Sequence, residues 1–105
     1  MSQTINPLTI SRTSDGLVVA GEVDASTVGT LLRFLMPLPG TSGEVLIDME
    51  QVSFIDSSGL RVLIEAQQRA EQCQRSLVIT NPSSIVARML DLSGLSSMFN
   101  VAQQQ

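Results

Sequence analysis

Short apolar runs alternate with helical stripes along this sequence, and this order leaves few folds open. Residues 45–47 and 77–79 are continuous apolar runs between polar residues, which is typical of strands buried on both faces of a sheet. Between them, apolar and small residues recur at helical spacing and predict a helix over about residues 58–74, with this buried stripe: Gly59, Val62, Leu63, Ala66, Ala70 and Cys73. A strand, a helix and a further strand in this order predict an α/β domain with helices on both sides of the sheet.

The flanking segments continue the alternation. Residues 8–11 and 17–20 lie on either side of the turn sequence Ser14-Asp15-Gly16 and predict an opening hairpin. One helix is then expected, with Asp24 or Ser26 as its N-cap, and another from Asn81-Pro82 to Gly94. Their buried stripes are predicted to be Val28, Leu31, Leu32 and Leu35 in the first, and Val86, Met89 and Leu90 in the second.

Length and composition favour one globular domain over residues 1–105. The 105 residues are 43% hydrophobic and 15% charged, which is unlike a disordered chain. Residues 102–105 are rich in glutamine and are expected to fray. The sequence has one cysteine, no secretory signal pattern at its first residues and no apolar stretch of ~20 residues. It therefore predicts a cytoplasmic protein without membrane insertion.

Charge and residue types exclude several functions. The net charge is −4 and every cation is arginine, so no basic field is available for nucleic acid or an anionic membrane. The sequence has no histidine and no lysine, which removes the usual general base, the commonest nitrogen ligand and Schiff-base chemistry. We therefore predict a chain that is not an enzyme, with no metal site and no cofactor.

The segment Ile55-Asp56-Ser57-Ser58-Gly59 carries the most informative chemistry, because it runs from a strand end into a helix. A serine at a helix N-terminus lies near unpaired amides and a positive dipole end, so a phosphate on Ser57 would be stabilised there. The alternative is structural: Ser57 or Ser58 caps the helix and Asp56 closes the turn. The spacing by itself leaves both interpretations open.

Four segments resemble one family in the family's order along the chain. They are G-E-V-D at residues 21–24, L-I-D-M at 46–49, D-S-S-G-L at 56–60 and R-M-L-D-L-S-G-L at 88–95. Together they resemble STAS domains, and above all the bacterial anti-sigma factor antagonists. The resemblance implies a STAS fold with a mixed sheet of about four to five strands and three to four helices packed on it.

The resemblance also implies a regulatory role based on partner switching in transcription. Unphosphorylated antagonists bind an anti-sigma factor, which is a serine kinase of the GHKL type, and so release a sigma factor. Phosphorylation at the position of Ser57 ends that binding, and a metal-dependent serine phosphatase resets the protein. Asp24, Asp56, Ser58 and Gly59 would then form the phosphoacceptor loop around Ser57. A second class within the family is a STAS interaction subunit of a membrane transport or sensory complex, which works without phosphorylation.

The helix after Ser57 offers a candidate partner surface. Leu60 and Ile64 lie on the flank of the predicted buried stripe, and we expect them to form an apolar docking patch with Arg61. The alternative is a wider core arc that buries Leu60 and Ile64. Arg61 departs from the family, where a small residue is common, and could pair with a phosphate on Ser57. The sequence leaves the oligomeric state open.

Overall fold

The computed structural model describes residues 7–103, which form five strands and three helices. Their bounds in chain order are β1 Leu8–Arg12, β2 Gly16–Val23, α1 Val28–Leu35, β3 Glu44–Ile55, α2 Ser57–Gln72, β4 Ser76–Thr80, α3 Ser84–Leu92 and β5 Asn100–Ala102. The strands form one sheet in the order β1-β2-β3-β4-β5. β1 pairs antiparallel with β2, and the other pairs are parallel, so the predicted hairpin and the mixed α/β sheet are both confirmed.

β2 and β3 run side by side and end together. Their parallel register extends from Gly16 opposite Leu46 to Val23 opposite Ile55, with two register shifts on the way. One shift lies at Gly21, whose φ of 106° favours glycine and whose added Cβ would lie 2.0 Å from the Pro7 carbonyl oxygen. Because the two strands are parallel, the loops that follow them emerge at the same edge of the sheet.

One face of the sheet carries most of the core. α1 and α2 pack on each other; α1 contacts β2, α2 contacts β3 and β4, and α3 contacts β3. Val45, Ile47 and Met49 of β3 are fully buried, but the intervening Leu46 and Asp48 are only half-buried. The expectation that this strand is buried on both faces is therefore wrong for β3, whereas the predicted apolar run of β4 is buried throughout.

The C-terminal part of the described chain differs from the prediction. The five strands agree with the predicted four to five, but the sequence analysis assigns no strand to residues 100–102, and Ala102, expected to fray, pairs with Thr80 of β4. Its carbonyl oxygen also accepts the amide N–H of Asn81 at 2.8 Å. Gln104 and Gln105 lie outside the described residues.

The bounds of α2 also correct the prediction. The helix begins at Ser57 and ends at Gln72, so Cys73 follows it and is exposed rather than buried. None of the helices within residues 7–103 is both long and apolar enough to cross a membrane.

Candidate functional site

Residues 56–59, which include Ser57 and three of the four residues predicted to form the phosphoacceptor loop, lie beside the loop that follows β2. The amide N–H of Asp56 donates to the Val23 carbonyl oxygen at 3.2 Å. This bond joins the ends of β3 and β2 and brings Asp24 and Asp56 to the same sheet edge. The backbone pairing of two parallel strands therefore places the two carboxylate-bearing loops next to each other.

Asp56 is the N-cap of α2. Its backbone is extended, and Oδ1 accepts the amide N–H groups of Ser58 at 2.9 Å and Gly59 at 3.4 Å. Its carbonyl oxygen accepts the amide N–H of Leu60 at 3.1 Å. The interpretation in which Ser57 or Ser58 caps the helix is wrong, because a carboxylate already satisfies those early amides.

Ser57 occupies the first position of α2 and is exposed. Within residues 7–103 no hydrogen bond involves its hydroxyl, and Ser58 beside it is half-buried. The Asp56 cap fixes the backbone on one side of Ser57 and the helix fixes it on the other. The hydroxyl is thus presented to solvent from an ordered backbone without being used for structure.

The carboxylate cap changes the electrostatics expected for a phosphate at this position. The sequence predicts that helix amides would stabilise a phosphate on Ser57, but two of them, at Ser58 and Gly59, already donate to Asp56. A phosphate would share these donors with a carboxylate on the preceding residue. The positive end of α2 therefore offsets less of the added charge than the sequence suggests.

Gly59 serves packing. A Cβ at this position would lie 2.7 Å from Cγ1 of Val23 and 2.8 Å from Cγ1 of Ile55, which is inside van der Waals contact. Only a residue without a side chain lets the first turn of α2 approach the ends of β2 and β3 this closely. Gly59 thereby sets the distance between Ser57 and the sheet edge.

Asp24 is held by its own loop. Its Oδ1 accepts the Ser26 hydroxyl at 2.7 Å and the Ser26 amide N–H at 2.9 Å, and these bonds lower the pKa of the Asp24 carboxyl below its ordinary value. The hydrogen bonds of its carboxylate within residues 7–103 join it to Ser26 and Thr27 and not to residues 56–59. Asp24 therefore lies at the same sheet edge as Ser57, linked to it through the backbone.

Thr27 is a member of this loop that the sequence analysis missed. It is buried, and its hydroxyl donates to the Glu22 carbonyl oxygen at 2.9 Å. The Thr27 hydroxyl oxygen in turn accepts the Asp24 amide N–H at 2.9 Å. Thr27, and not Asp24 or Ser26, occupies the N-cap position of α1. A threonine three residues after an aspartate is a usual turn signal, and it could have suggested this arrangement.

The predicted docking patch is only partly on the surface. Leu60 is 6% exposed and belongs to the core, so its placement in a surface patch is wrong. Ile64 is half-buried and packs against the core, while Arg61 is exposed. Phe54 at the end of β3 is 41% exposed and is an apolar surface residue that the sequence analysis did not identify.

No group of three or more histidine, cysteine, aspartate or glutamate side chains within residues 7–103 is placed to hold a metal ion. The distinctive group at this edge of the sheet is the Ser57 hydroxyl between a carboxylate cap and an exposed arginine. An exposed serine hydroxyl of this kind has the chemistry needed to accept a phosphoryl group.

Comparisons with known proteins agree with this fold. The family model described as "Mlab, STAS domain" matches residues 8–100. The anti-sigma-B factor antagonist of Listeria monocytogenes is 35% identical over 86 residues, covering 81% of this chain and 75% of the relative. The protein of the same name from Bacillus subtilis is 29% identical over 84 residues, covering 80% and 77%.

Solved structures show the same fold. The anti-sigma factor antagonist SpoIIAA in its unphosphorylated form has a TM-score of 0.73 at 21% identity, covering 93% of this chain and 88% of that one. The phosphorylated form of the Bacillus cell fate determinant SpoIIAA has a TM-score of 0.65 at 20% identity, covering 93% and 91%. This chain therefore belongs to the STAS-domain family of bacterial anti-sigma factor antagonists.

Proposed function

We propose that this chain is an anti-sigma factor antagonist whose unphosphorylated form binds an anti-sigma factor and frees a sigma factor, and that phosphorylation of Ser57 ends this binding. The observation that carries the proposal is the exposed Ser57 hydroxyl at the first position of α2. The 35% identity to the Listeria monocytogenes antagonist supports the same role.

The chemical event is phosphoryl transfer to the chain. Ser57 Oγ would attack the γ-phosphorus of ATP bound to a GHKL-type anti-sigma factor kinase, so that an O–P bond forms, ADP leaves and the hydroxyl proton passes to the kinase or to solvent. A metal-dependent phosphatase would hydrolyse that ester to serine and inorganic phosphate. This chain contains no histidine and no lysine to activate a nucleophile, so we assign it the role of substrate and binding partner.

Electrostatics explain why a single phosphate is enough to end binding of the anti-sigma factor. A phosphate adds a charge of about −1.5 to −2 at neutral pH. It would stand beside Asp56, whose carboxylate already uses two helix amides, and at the same sheet edge as Asp24. A hundredfold loss of affinity corresponds to about 2.7 kcal/mol, which one phosphate desolvated without a partner can supply at an interface.

The test is phosphorylation by the cognate kinase followed by site mapping. We expect the kinase and ATP to add one phosphate, and peptide mass spectrometry to place it on Ser57. Ser57→Ala should remain unmodified and stay bound to the kinase. Ser58→Ala is the matched control, because Ser58 is the neighbouring serine and is half-buried, and this variant should be modified like the wild type.

Two outcomes would contradict the proposal. Phosphate mapped to Ser58 in the wild type would move the switch to the neighbouring residue. A chain that binds its partner tightly but is never modified would instead favour the second class, a STAS interaction subunit of a membrane transport or sensory complex.

A further inference from the structure

Arg61 is an exposed cation without a structural task. Within residues 7–103 it makes no hydrogen bond or ion pair, whereas Arg69 and Arg75 on and after the same helix donate to backbone carbonyls. Arg12 lies over the ring of Phe34, 4.7 Å from the ring centre. Arg33 and Arg88 are also exposed and make no such bond within residues 7–103, so what distinguishes Arg61 is its position close to the proposed phosphoacceptor.

The helix geometry places Arg61 next to Ser57. Both residues lie in α2, which begins at Ser57, and they are four positions apart. Residues at this spacing have Cβ atoms about 5–6 Å apart on one helix face, and an acidic group N-terminal to a basic one is the favourable order. Both positions are exposed, so neither side chain is kept away by packing.

We propose that Arg61 binds the phosphate of phosphorylated Ser57 within the same helix. The inference rests on the proposed function for its biological setting. A guanidinium presents paired N–H donors that fit phosphate oxygens, and it would supply the donors that Asp56 has already taken from the helix amides. Phosphorylation then changes two surface features at once, because it adds an anion and withdraws a free cation from any partner.

Other charged groups near the phosphate are acidic. Asp56 precedes Ser57, Asp24 follows the neighbouring strand β2, and Glu22 near the end of β2 is exposed. Glu65 lies four residues after Arg61 and competes for it. Among the described residues of these two strand ends and the first two turns of α2, Arg61 is the cation available to balance the phosphate.

The experiment installs phosphoserine at position 57 during translation and follows the phosphate by ³¹P NMR as a function of pH. A paired guanidinium favours the phosphate dianion. The second pKa of the phosphate should therefore lie lower in the phosphorylated protein that keeps Arg61 than in the phosphorylated Arg61→Gln variant. We expect a difference of about half a pKa unit, a roughly threefold change in proton affinity. Arg61→Lys should recover part of the difference, and 1 M salt should reduce it.

The control is Arg88→Gln, which removes an exposed arginine of α3 and should leave the phosphate titration unchanged. A second pKa that is the same in Arg61→Gln and Arg88→Gln would overturn the inference. Because the phosphate is installed without a kinase, this result is independent of the kinase test: a kinase that ignores Ser57 refutes the proposed function and leaves the titration valid.

Discussion

The two ends of α2 use charged side chains in opposite ways. At the first turn, one carboxylate, Asp56, caps the helix and leaves Ser57 exposed with its hydroxyl unused. Beyond the last turn, Arg75 donates from Nε, Nη1 and Nη2 to the carbonyl oxygens of Ser42, Leu38 and Pro39 at 2.7, 2.7 and 2.9 Å. Both charges complement the helix dipole, but one end is tied to the fold and the other keeps a reactive group free.

This difference indicates that the two ends of α2 have different roles, one in stability and one in partner binding. The arginine end joins α2 to the segment between α1 and β3, where Arg69 also donates to the Met36 carbonyl oxygen at 2.6 Å. At the serine end, the Asp56 cap and the close packing of Gly59 hold the backbone. We expect substitutions at the arginine end to act on stability, and substitutions at Ser57 to act on partner binding.

The largest stability effect should come from Arg75→Met, which keeps most of the side-chain stem but removes three charge-assisted hydrogen bonds. We expect a loss of about 3 kcal/mol in the free energy of unfolding, and a fall in melting temperature of roughly 10–20 °C. Urea unfolding would measure it. Arg88→Met is the matched control, and equal losses in the two variants would contradict the structural role of Arg75.

Gly59→Ala should destabilise the serine end by about 1–3 kcal/mol, because the new methyl group would clash with Val23 and Ile55. Gly29 in α1 has no atom within 4 Å of an added Cβ. Gly29→Ala should therefore stabilise by roughly 0.5–1 kcal/mol through helix propensity. Thermal unfolding of the pair gives opposite signs if the close approach at Gly59 is real, and the same sign if it is not.

Asp56→Ala should cost about 1 kcal/mol through loss of the N-cap, and Asp56→Asn should cost less because the amide oxygen can still accept both bonds. Hydrogen exchange of the Ser58 and Gly59 amides should accelerate in the alanine variant. If exchange and stability are unchanged by alanine, the Asp56 cap does not hold the backbone around Ser57.

The smallest effect concerns Asp24. Its pKa is lowered first by the Ser26 hydroxyl, so its charged form contributes stability that is present above the unfolded-state pKa near 4 and lost as pH falls through the lower folded-state value. Ser26→Ala should raise the Asp24 pKa, as measured by NMR titration. An unchanged pKa in that variant would show that the Ser26 hydroxyl does not set it.

Much of this fold is predictable because local periodicity decides it. The hairpin, the centres of β3 and β4 and the cores of α1 and α3 follow from turn residues and apolar spacing. The second half of β3 escapes prediction because its register shifts against β2, which breaks the alternation and leaves Phe54 exposed. β5 is only three residues long and is defined by pairing with β4.

The site is predictable as a sequence motif but not in its side-chain roles. Helical periodicity predicts a buried Cys73, but the helix ends at Gln72. Leu60 is buried because Gly59 lets the first turn of α2 pack closely on the strand ends. Gln67 is buried as well, with one amide oxygen unpaired, which no polar pattern predicts. The structural role of Arg75 cannot be predicted from local sequence, because the carbonyl groups that it binds are more than thirty residues away along the chain.

The most direct test compares the affinity of the anti-sigma factor for the unmodified chain with its affinity for the chain carrying phosphoserine at position 57. Isothermal titration calorimetry should show tight binding of the unmodified chain and at least about a hundredfold weaker binding with phosphoserine at position 57. Equal affinity for the unmodified chain and the chain phosphorylated at position 57 would contradict the account.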